Sequence, residues 1–395
     1  MTQHIQTQLI RPFSLALATV FALFLGACGD ADASTQTADA AAEPTAAPET
    51  TTSAAPIEAA VEEAVETTAL APAVSGDTFD VTGEMAFELN PSCSIGPPLS
   101  AEPADCETYA GYTIVPATLT ATRTGTFDGT ETFHAVFAVD ADGGYVFAGI
   151  SSFVGAVDGC GEGTAVYNSA GTGSFDIEQS SEAGTLVLGP MDAVSYTAAP
   201  SKLATLDLAF EATMTTLDPT TLDISGTVNC SDEPLNAGSF DAVRPESSVV
   251  EAGAREWTGA ASYVLGATCN PSVYAAGSPN ACPTTDGFLV MPLNNSLVLG
   301  APFDGEAVFV GTNIIADSNY EHAGIFIFDG TIDGCGEGSV VMANEAIGSF
   351  LSPVFPHARG FTPPLFDTGA LGVHADGTVK ITGQVSGTME GSYSC

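Results

Sequence analysis

The chain is poor in positive charge. Seven Lys and Arg stand against 48 Asp and Glu, giving a formal net charge of −41 over 395 residues. Such a surface repels phosphate backbones and anionic lipid headgroups, so neither nucleic acid nor direct headgroup binding is expected. Charged residues make up only 14% of the chain, so the acidity comes more from missing bases than from abundant acids. That suits solubility outside a cell, a salty medium or contact with divalent cations.

Catalytic signatures are missing as well. No Gly-x-Ser-x-Gly elbow, His-Glu-x-x-His pair, P-loop or dinucleotide fingerprint in a βαβ setting occurs. No catalytic residue is assigned and no cofactor is expected. Histidines number five: His4, His134, His322, His357 and His374. None recurs at an equivalent place in the internal repeat described below; His134 aligns with Val310 and His322 with Phe147, which reads as isolated strand or surface histidines. The single tryptophan, Trp257, opens a strand and reads as a core or domain-interface residue. Helical apolar periodicity of useful length is also lacking between the strand signals, and the one short helical pattern, Ile57 to Val65, is marginal in isolation.

What is present begins with an export signal. Arg11 is followed by an apolar run from Phe13 to Leu25 and then by Leu25-Gly26-Ala27-Cys28. That run is short for a bilayer span and gives way at once to acidic, polar sequence, as a signal h-region does. The small residues before Cys28 resemble a bacterial lipoprotein box. The resemblance implies a signal peptide over residues 1–27, lipidation at Cys28, and an extracytoplasmic protein held to a bacterial outer membrane or cell surface only by its lipid anchor. The alternative is an ordinary signal peptide cut beside an incidental cysteine. Residues 28–77 are Ala, Thr, Pro, Ser and acids with no Lys, Arg or aromatic side chain. They read as a disordered tether, since they bury too little apolar surface to offset the entropy of ordering.

Beyond the tether the chain repeats itself. Ala141 to Thr164 and Ala316 to Ser339 share 14 of 24 residues at a constant offset of 175, including Asp158-Gly159-Cys160-Gly161-Glu162-Gly163 and Asp333-Gly334-Cys335-Gly336-Glu337-Gly338. The eight remaining cysteines divide the same way, as Cys93, Cys106, Cys160, Cys230 and Cys269, Cys282, Cys335, Cys395. An even, repeated set in an exported chain reads as a disulfide framework. Four cysteines allow three pairings per domain; short Pro-rich loops favour Cys93 with Cys106 and Cys269 with Cys282, leaving Cys160 with Cys230 and Cys335 with Cys395.

Domain boundaries follow at 78–230 and 256–395, with 231–255 as linker. In the first domain, strand signals run over 79–89, 112–127, 132–139, 145–157, 164–167, 174–177, 185–188, 203–214 and 222–228, punctuated by Asp-Gly and Gly-Gly turns. The fold class is all-β: two tandem antiparallel β-barrel or barrel-like sandwich domains, each with two disulfides. After each Asp-Gly turn, Gly161 and Gly163 and their equivalents leave one strand face nearly bare, open to close approach by a ring or another strand.

Phe127-Asp128-Gly129-Thr130, Phe153-x-Gly155, Asp158-Gly159-x-Gly161 and Gly171-Thr172-Gly173-Ser174-Phe175 are echoed by Phe303-Asp304-Gly305, Phe328-x-Gly330, Asp333-Gly334 and Gly348-Ser349-Phe350. In this order they resemble bacterial barrel proteins of the allene-oxide-cyclase-like type. The resemblance implies a barrel of about eight strands with a narrow apolar interior. The plant enzymes of that family cyclise an unsaturated fatty-acid epoxide, but none of their polar groups can be placed on this sequence, and the disulfides depart from the pattern. The resemblance therefore implies fold and not activity.

Three functions remain. The first is a non-enzymatic binding role, with an apolar small ligand inside a barrel or a surface partner on loops such as 350–364. The second is an envelope-structural or adhesive role stiffened by calcium, for which Asp158, Glu162, Asp333 and Glu337 are the candidate metal ligands. The structural alternative makes those residues turn formers and solvated carboxylates. Asp140-Ala141-Asp142-Gly143-Gly144 likewise reads as a turn. The third is a barrel isomerase or cyclase.

Overall fold

Alternation of apolar side chains decides which side of each strand is buried. Along Tyr112–Gly125, Val115, Ala117, Leu119 and Ala121 are buried while Thr120, Thr122 and Thr124 face solvent. This period of two lets a sheet fold one face onto a core. The computed structural model of the protein describes residues 78–93, 106–176, 187–196, 203–206, 208–230, 255–264, 269, 281–316, 319–349, 358–361, 371–381 and 386–395. The signal, Cys28, the tether, linker residues 231–254, His4, His357 and most of the 350–364 loop lie outside them.

Nine strands make the first sheet: β1 (Thr78–Pro91), β2 (Glu107–Tyr109), β3 (Tyr112–Gly125), β4 (Phe127–Val139), β5 (Gly144–Val157), β6 (Gly161–Phe175), β7 (Leu188–Tyr196), β8 (Leu208–Asp218) and β9 (Thr221–Cys230). Their order is β1-β9-β8-β7-β6-β5-β4-β3-β2, every pair antiparallel, and β1 also pairs with β3. Eight strands thus close into a barrel, with β2 as a short flap on β3. Closure leaves no free edge for another chain to extend.

The second sheet comprises β10 (Arg255–Val264), β11 (Thr284–Thr285), β12 (Phe288–Leu299), β13 (Phe303–Ala316), β14 (Asn319–Ile332), β15 (Gly336–Ser349), β16 (Ala358–Phe361), β17 (His374–Ile381) and β18 (Ser386–Ser394). Its order is β10-β18-β17-β16-β15-β14-β13-β12-β11, with β10 also paired to β12. Register repeats between sheets: Phe127 faces Val157 as Phe303 faces Ile332, and Gly129 faces Gly155 as Gly305 faces Gly330.

Several strand expectations need correction. The expected strands 164–167 and, up to Phe175, 174–177 are parts of one long strand, β6, and the expected strand 112–127 is broken at Thr126 between β3 and β4. Leu203 to Leu206 is not strand, and β8 starts at Leu208. Most of β7 lies beyond the expected strand 185–188, and it contains Gly189-Pro190. The β6–β7 ladder shifts register between Gly173 and Phe175, so Pro190 sits at that irregularity, where its missing N–H is tolerated. Four residues of the 350–364 loop form β16, paired to both β15 and β17.

The cysteines pair as Cys93–Cys106, Cys160–Cys230, Cys269–Cys282 and Cys335–Cys395, with Cα atoms 5.0, 5.1, 5.0 and 5.5 Å apart. Cys160–Cys230 and Cys335–Cys395 each join the turn of the internal repeat to the end of the last strand of its sheet.

Both sheets lie within one unit, Pro72–Cys395, and they pack on each other. The contact is centred on β5 and β14, which are equivalent strands of the repeat. Val136, Ala138, Val146 and Ala148 from the outer face of the first sheet merge with Val310, Ile325, Ile327 and Val341 into one buried cluster. Strand β5 is therefore buried on both faces over most of its length, which explains its near-continuous apolar run.

Candidate functional site

Where the repeat is strongest, chemistry is weakest. Gly159 and Gly334 take φ of +80° and +78°, the left-handed conformation the Asp-Gly turns require. Asp158, Glu162, Asp333 and Glu337 are all exposed beside these turns. The carbonyl of Asp333 accepts hydrogen bonds from Arg255 Nη1 at 2.8 Å and Tyr393 Oη at 2.9 Å. Among the described residues no group of three or more His, Cys, Asp or Glu is arranged to hold a metal ion. Asp140 is a turn former: its Oδ1 accepts the amides of Asp142 and Gly144, both at 2.9 Å.

The bare face after the turn is open at Gly161 but covered at Gly163. A Cβ on Gly163 would meet Thr205 Oγ1 at 2.5 Å and Leu206 Cγ at 3.0 Å. The segment Leu203 to Leu206 lies across it, held by Thr205 and Leu206 amides on the Thr164 carbonyl at 3.1 and 2.9 Å. The close approach expected there is made by a plug rather than by a ring or strand.

Chemistry gathers instead inside the first barrel. Inward positions of β3, β4, β5 and β6 carry Arg123, Glu131, Ser151 and Tyr167, with at most 4% of each side exposed. Arg123 Nε donates to Glu131 Oε2 in a buried ion pair, and Ser151 Oγ donates to Glu131 Oε1. The guanidinium carbon lies 5.6 Å from the Phe127 ring centroid and 5.3 Å from that of Tyr167, a cation–π sandwich. Burial alone would lower the Arg123 pKa, but Glu131 and Tyr167 outweigh it and the net direction is up. Burial drives the Tyr167 hydroxyl well above its ordinary pKa, with Arg123 opposing. That hydroxyl is near Glu131 and Ser151 yet outside strict hydrogen-bond geometry, and Arg123 Nη1 and Nη2 are buried without partners.

Above this cluster the lumen is filled by rings such as Phe137, Tyr145, Phe147 and Phe175, whose centroids lie 4.7–6.2 Å apart. Among the described residues the lumen also holds a cavity of about 30 Å³. Met85, Met191, Met214, Phe133 and Leu119 are among its apolar walls, and Glu131 and Ser169 are its only polar lining residues. That space suits a few small groups and not a long acyl chain. Its free wall is apolar, because the Glu131 oxygens are taken by Arg123 and Ser151 and the Ser169 hydroxyl pairs with Ser195 Oγ at 2.7 Å.

The repeat supplies a comparison. By register, Arg123, Glu131, Ser151 and Tyr167 correspond to Leu299, Ala307, Phe326 and Met342 of the second sheet. The fold therefore does not need a charge pair at this height. None of these four residues was singled out from sequence. One signal was available: Arg123 continues the inward phase of Leu119 and Ala121 in a chain with only seven bases.

Histidines are placed apart. His134, on the outer face of β4, has Nδ1 at 3.4 Å from Thr118 Oγ1, and burial lowers its pKa to about 4 against a raising effect of Asp286. Ser152 Oγ, fully buried, donates to Asp286 Oδ2 at 2.6 Å. A serine, a carboxylate and an imidazole thus meet where the sheets pack, but the serine bonds the carboxylate and not the imidazole, so no nucleophile–base pair results. His322 is on the inner face of β14, and His374 begins β17. Trp257 lies on β10 opposite Gly391; its side chain is outside the described residues. Compared with known proteins, the chain matches no family model and no curated protein.

Proposed function

We propose that this is an exported lipoprotein, cut before Cys28 and anchored there by its lipid, that presents two tandem disulfide-stapled barrels for a non-enzymatic binding role. In this reading the second sheet is a barrel like the first, each carries two of the disulfides, and the first barrel takes a small, predominantly apolar molecule. The carrying observation is the first lumen's cavity, with methionine walls and Glu131 as its buried charge. Methionine side chains repack at low cost, so the space can adapt to an occupant. The absence of the charged cluster from the equivalent positions of the second sheet supports a local role over a folding role. The apolar interior is also what the barrel resemblance implies.

The test is native mass spectrometry of the full chain purified from its own host, with disulfides intact and no chelator. A copurifying small neutral molecule of only a few heavy atoms, lost on Glu131→Gln substitution, is expected. A bare protein would reject the ligand reading and leave the envelope-structural one. Calcium adducts alone would move the function to the acidic turns.

A further inference from the structure

Inward-facing positions of the second sheet hold a polar group of their own, at a different height in the strands. Asn313 on β13 and His322 on β14 are direct register partners, and Asn344 lies on the neighbouring β15. His322 Nε2 donates to Asn344 Oδ1 at 3.0 Å. Asn313 is only 5% exposed, and its Oδ1 has no hydrogen-bond partner. Aromatic walls enclose the group: the Phe309 centroid is 5.1 Å from that of His322, and Tyr320 stacks on the imidazole at 6.4 Å with 13° between planes.

In the first barrel the corresponding residues are Phe137, Phe147 and Ser169, and the two phenylalanine rings pack 5.6 Å apart. An asparagine and a histidine therefore replace a packed aromatic pair that the same architecture accommodates. A buried amide oxygen without a partner keeps the cost of its lost hydration uncompensated, so it points to an occupant that donates to it. His322 is half-buried between these rings.

We infer that the interior of the second sheet binds a neutral, flat small molecule carrying a hydrogen-bond donor, of the phenol, aromatic amine or cyclic amide type, with Asn313 Oδ1 receiving the donor. The inference rests on reading that sheet as a barrel and names a second binding site, distinct from the cavity at Glu131. Neutrality follows from the residues: with Nε2 carrying the proton, His322 offers Nδ1 as a further acceptor, and burial keeps the imidazole uncharged with a pKa of about 4. No charged side chain belongs to the trio. Flatness follows from the stacked Tyr320 and His322 rings, which favour a planar guest over a branched one.

Phenol and toluene have one ring and nearly one shape, and differ in the donor. Isothermal titration of the full chain with each, disulfides intact, should give phenol about a tenfold advantage, the worth of one buried hydrogen bond. Asn313→Leu should erase the advantage while leaving toluene binding. His322→Phe installs the residue found at the first barrel's equivalent position, so it should fold and should exclude both probes. Equal affinities, no binding of either probe at millimolar concentration, or an undiminished phenol preference in Asn313→Leu would each overturn the inference. A host-derived ligand lost in Glu131→Gln together with failed phenol binding would reject this site alone. Phenol binding to a protein that arrives bare would reject the first cavity's role alone.

Discussion

Ser152 Oγ on β5 reaches across the sheet contact to Asp286 Oδ2, 134 residues later, at 2.6 Å. Asp286 and Gly287 form the tip of the β11–β12 hairpin, both with positive φ, and so do Ala110 and Gly111 at the equivalent β2–β3 tip. The latter tip packs on the merged cluster between the sheets, where burial first, then Asp329 and Glu306, raises the Tyr109 pKa. Each repeat thus lays the same hairpin over the other, a pseudo-twofold contact of the isologous kind. Ser152→Ala removes a hydrogen bond to a carboxylate and should lower unfolding free energy by about 1.5–3 kcal/mol. Urea denaturation measures it; an unchanged midpoint would show that the bond contributes nothing.

Two histidines should make stability depend on acid. His134 and His322 are both held near pKa 4 by burial, against 6.5 in an unfolded chain. Between these values the unfolded chain binds more protons than the folded one. Stability is therefore complete above pH 6.5 and falls as pH drops toward 4, by about 3 kcal/mol per histidine as an upper figure. Relief of self-repulsion in a chain of net charge −41 works in the opposite direction as pH falls, so the wild type alone is a poor readout. The variant His134→Val, His322→Phe, built from the residues at the equivalent repeat positions, isolates the effect. Its stability relative to wild type should rise as pH falls from 6.5 to 4, and a pH-independent difference would refute the assignment.

Much of the architecture could be read from residue spacing, and the sites could not. Repeated Asp-Gly turns, matched cysteines and alternating strands pointed to all-β structure because each is a local property of the backbone. Closure of β1 onto β3 and the cross-sheet contact are long-range, and the sequence carries only a trace of the second in the near-continuous apolar run of β5. The polar clusters escaped notice because a strand residue's neighbours come from other strands. Glu131 reads as one carboxylate among 48 until the barrel sets it beside Arg123, 8 residues away but on the adjacent strand. Conversely, Asp158 and Glu162 drew attention by recurring, and they recur because turns repeat with the fold.

The disulfides should differ in worth. Cys160–Cys230 spans 70 residues and Cys93–Cys106 spans 13. By loop-closure entropy the longer one restricts the unfolded chain by about 4 kcal/mol and the shorter by about 3. Paired substitution to alanine, followed by denaturant unfolding, should therefore cost more for Cys160–Cys230. The longer bridge also ties the β5–β6 turn to the end of β9, so its loss should raise hydrogen exchange at both. A larger cost for the short bridge would mean that the 93–106 loop carries structure beyond its cross-link.

The buried pair of Arg123 and Glu131 offers the sharpest test, because the protein carries its own control. Two desolvated charges gain from each other in the interior but lose their hydration, and the balance is often no better than an apolar pair of similar volume. Removing one partner is different, since it strands the other charge. Glu131→Ala alone should cost about 3–5 kcal/mol, leaving Arg123 between two rings with no carboxylate. The double variant Arg123→Leu, Glu131→Ala adopts the residues of the second sheet's equivalent positions and should recover most of that loss. Urea unfolding of the two variants and of Arg123→Leu completes a double-mutant cycle. Coupling of several kcal/mol with a near-wild-type double variant would mean that the pair is kept for what the cavity holds rather than for folding. A double variant as unstable as Glu131→Ala would make the pair part of the barrel's own support, and the cavity would then lose its best claim to a ligand.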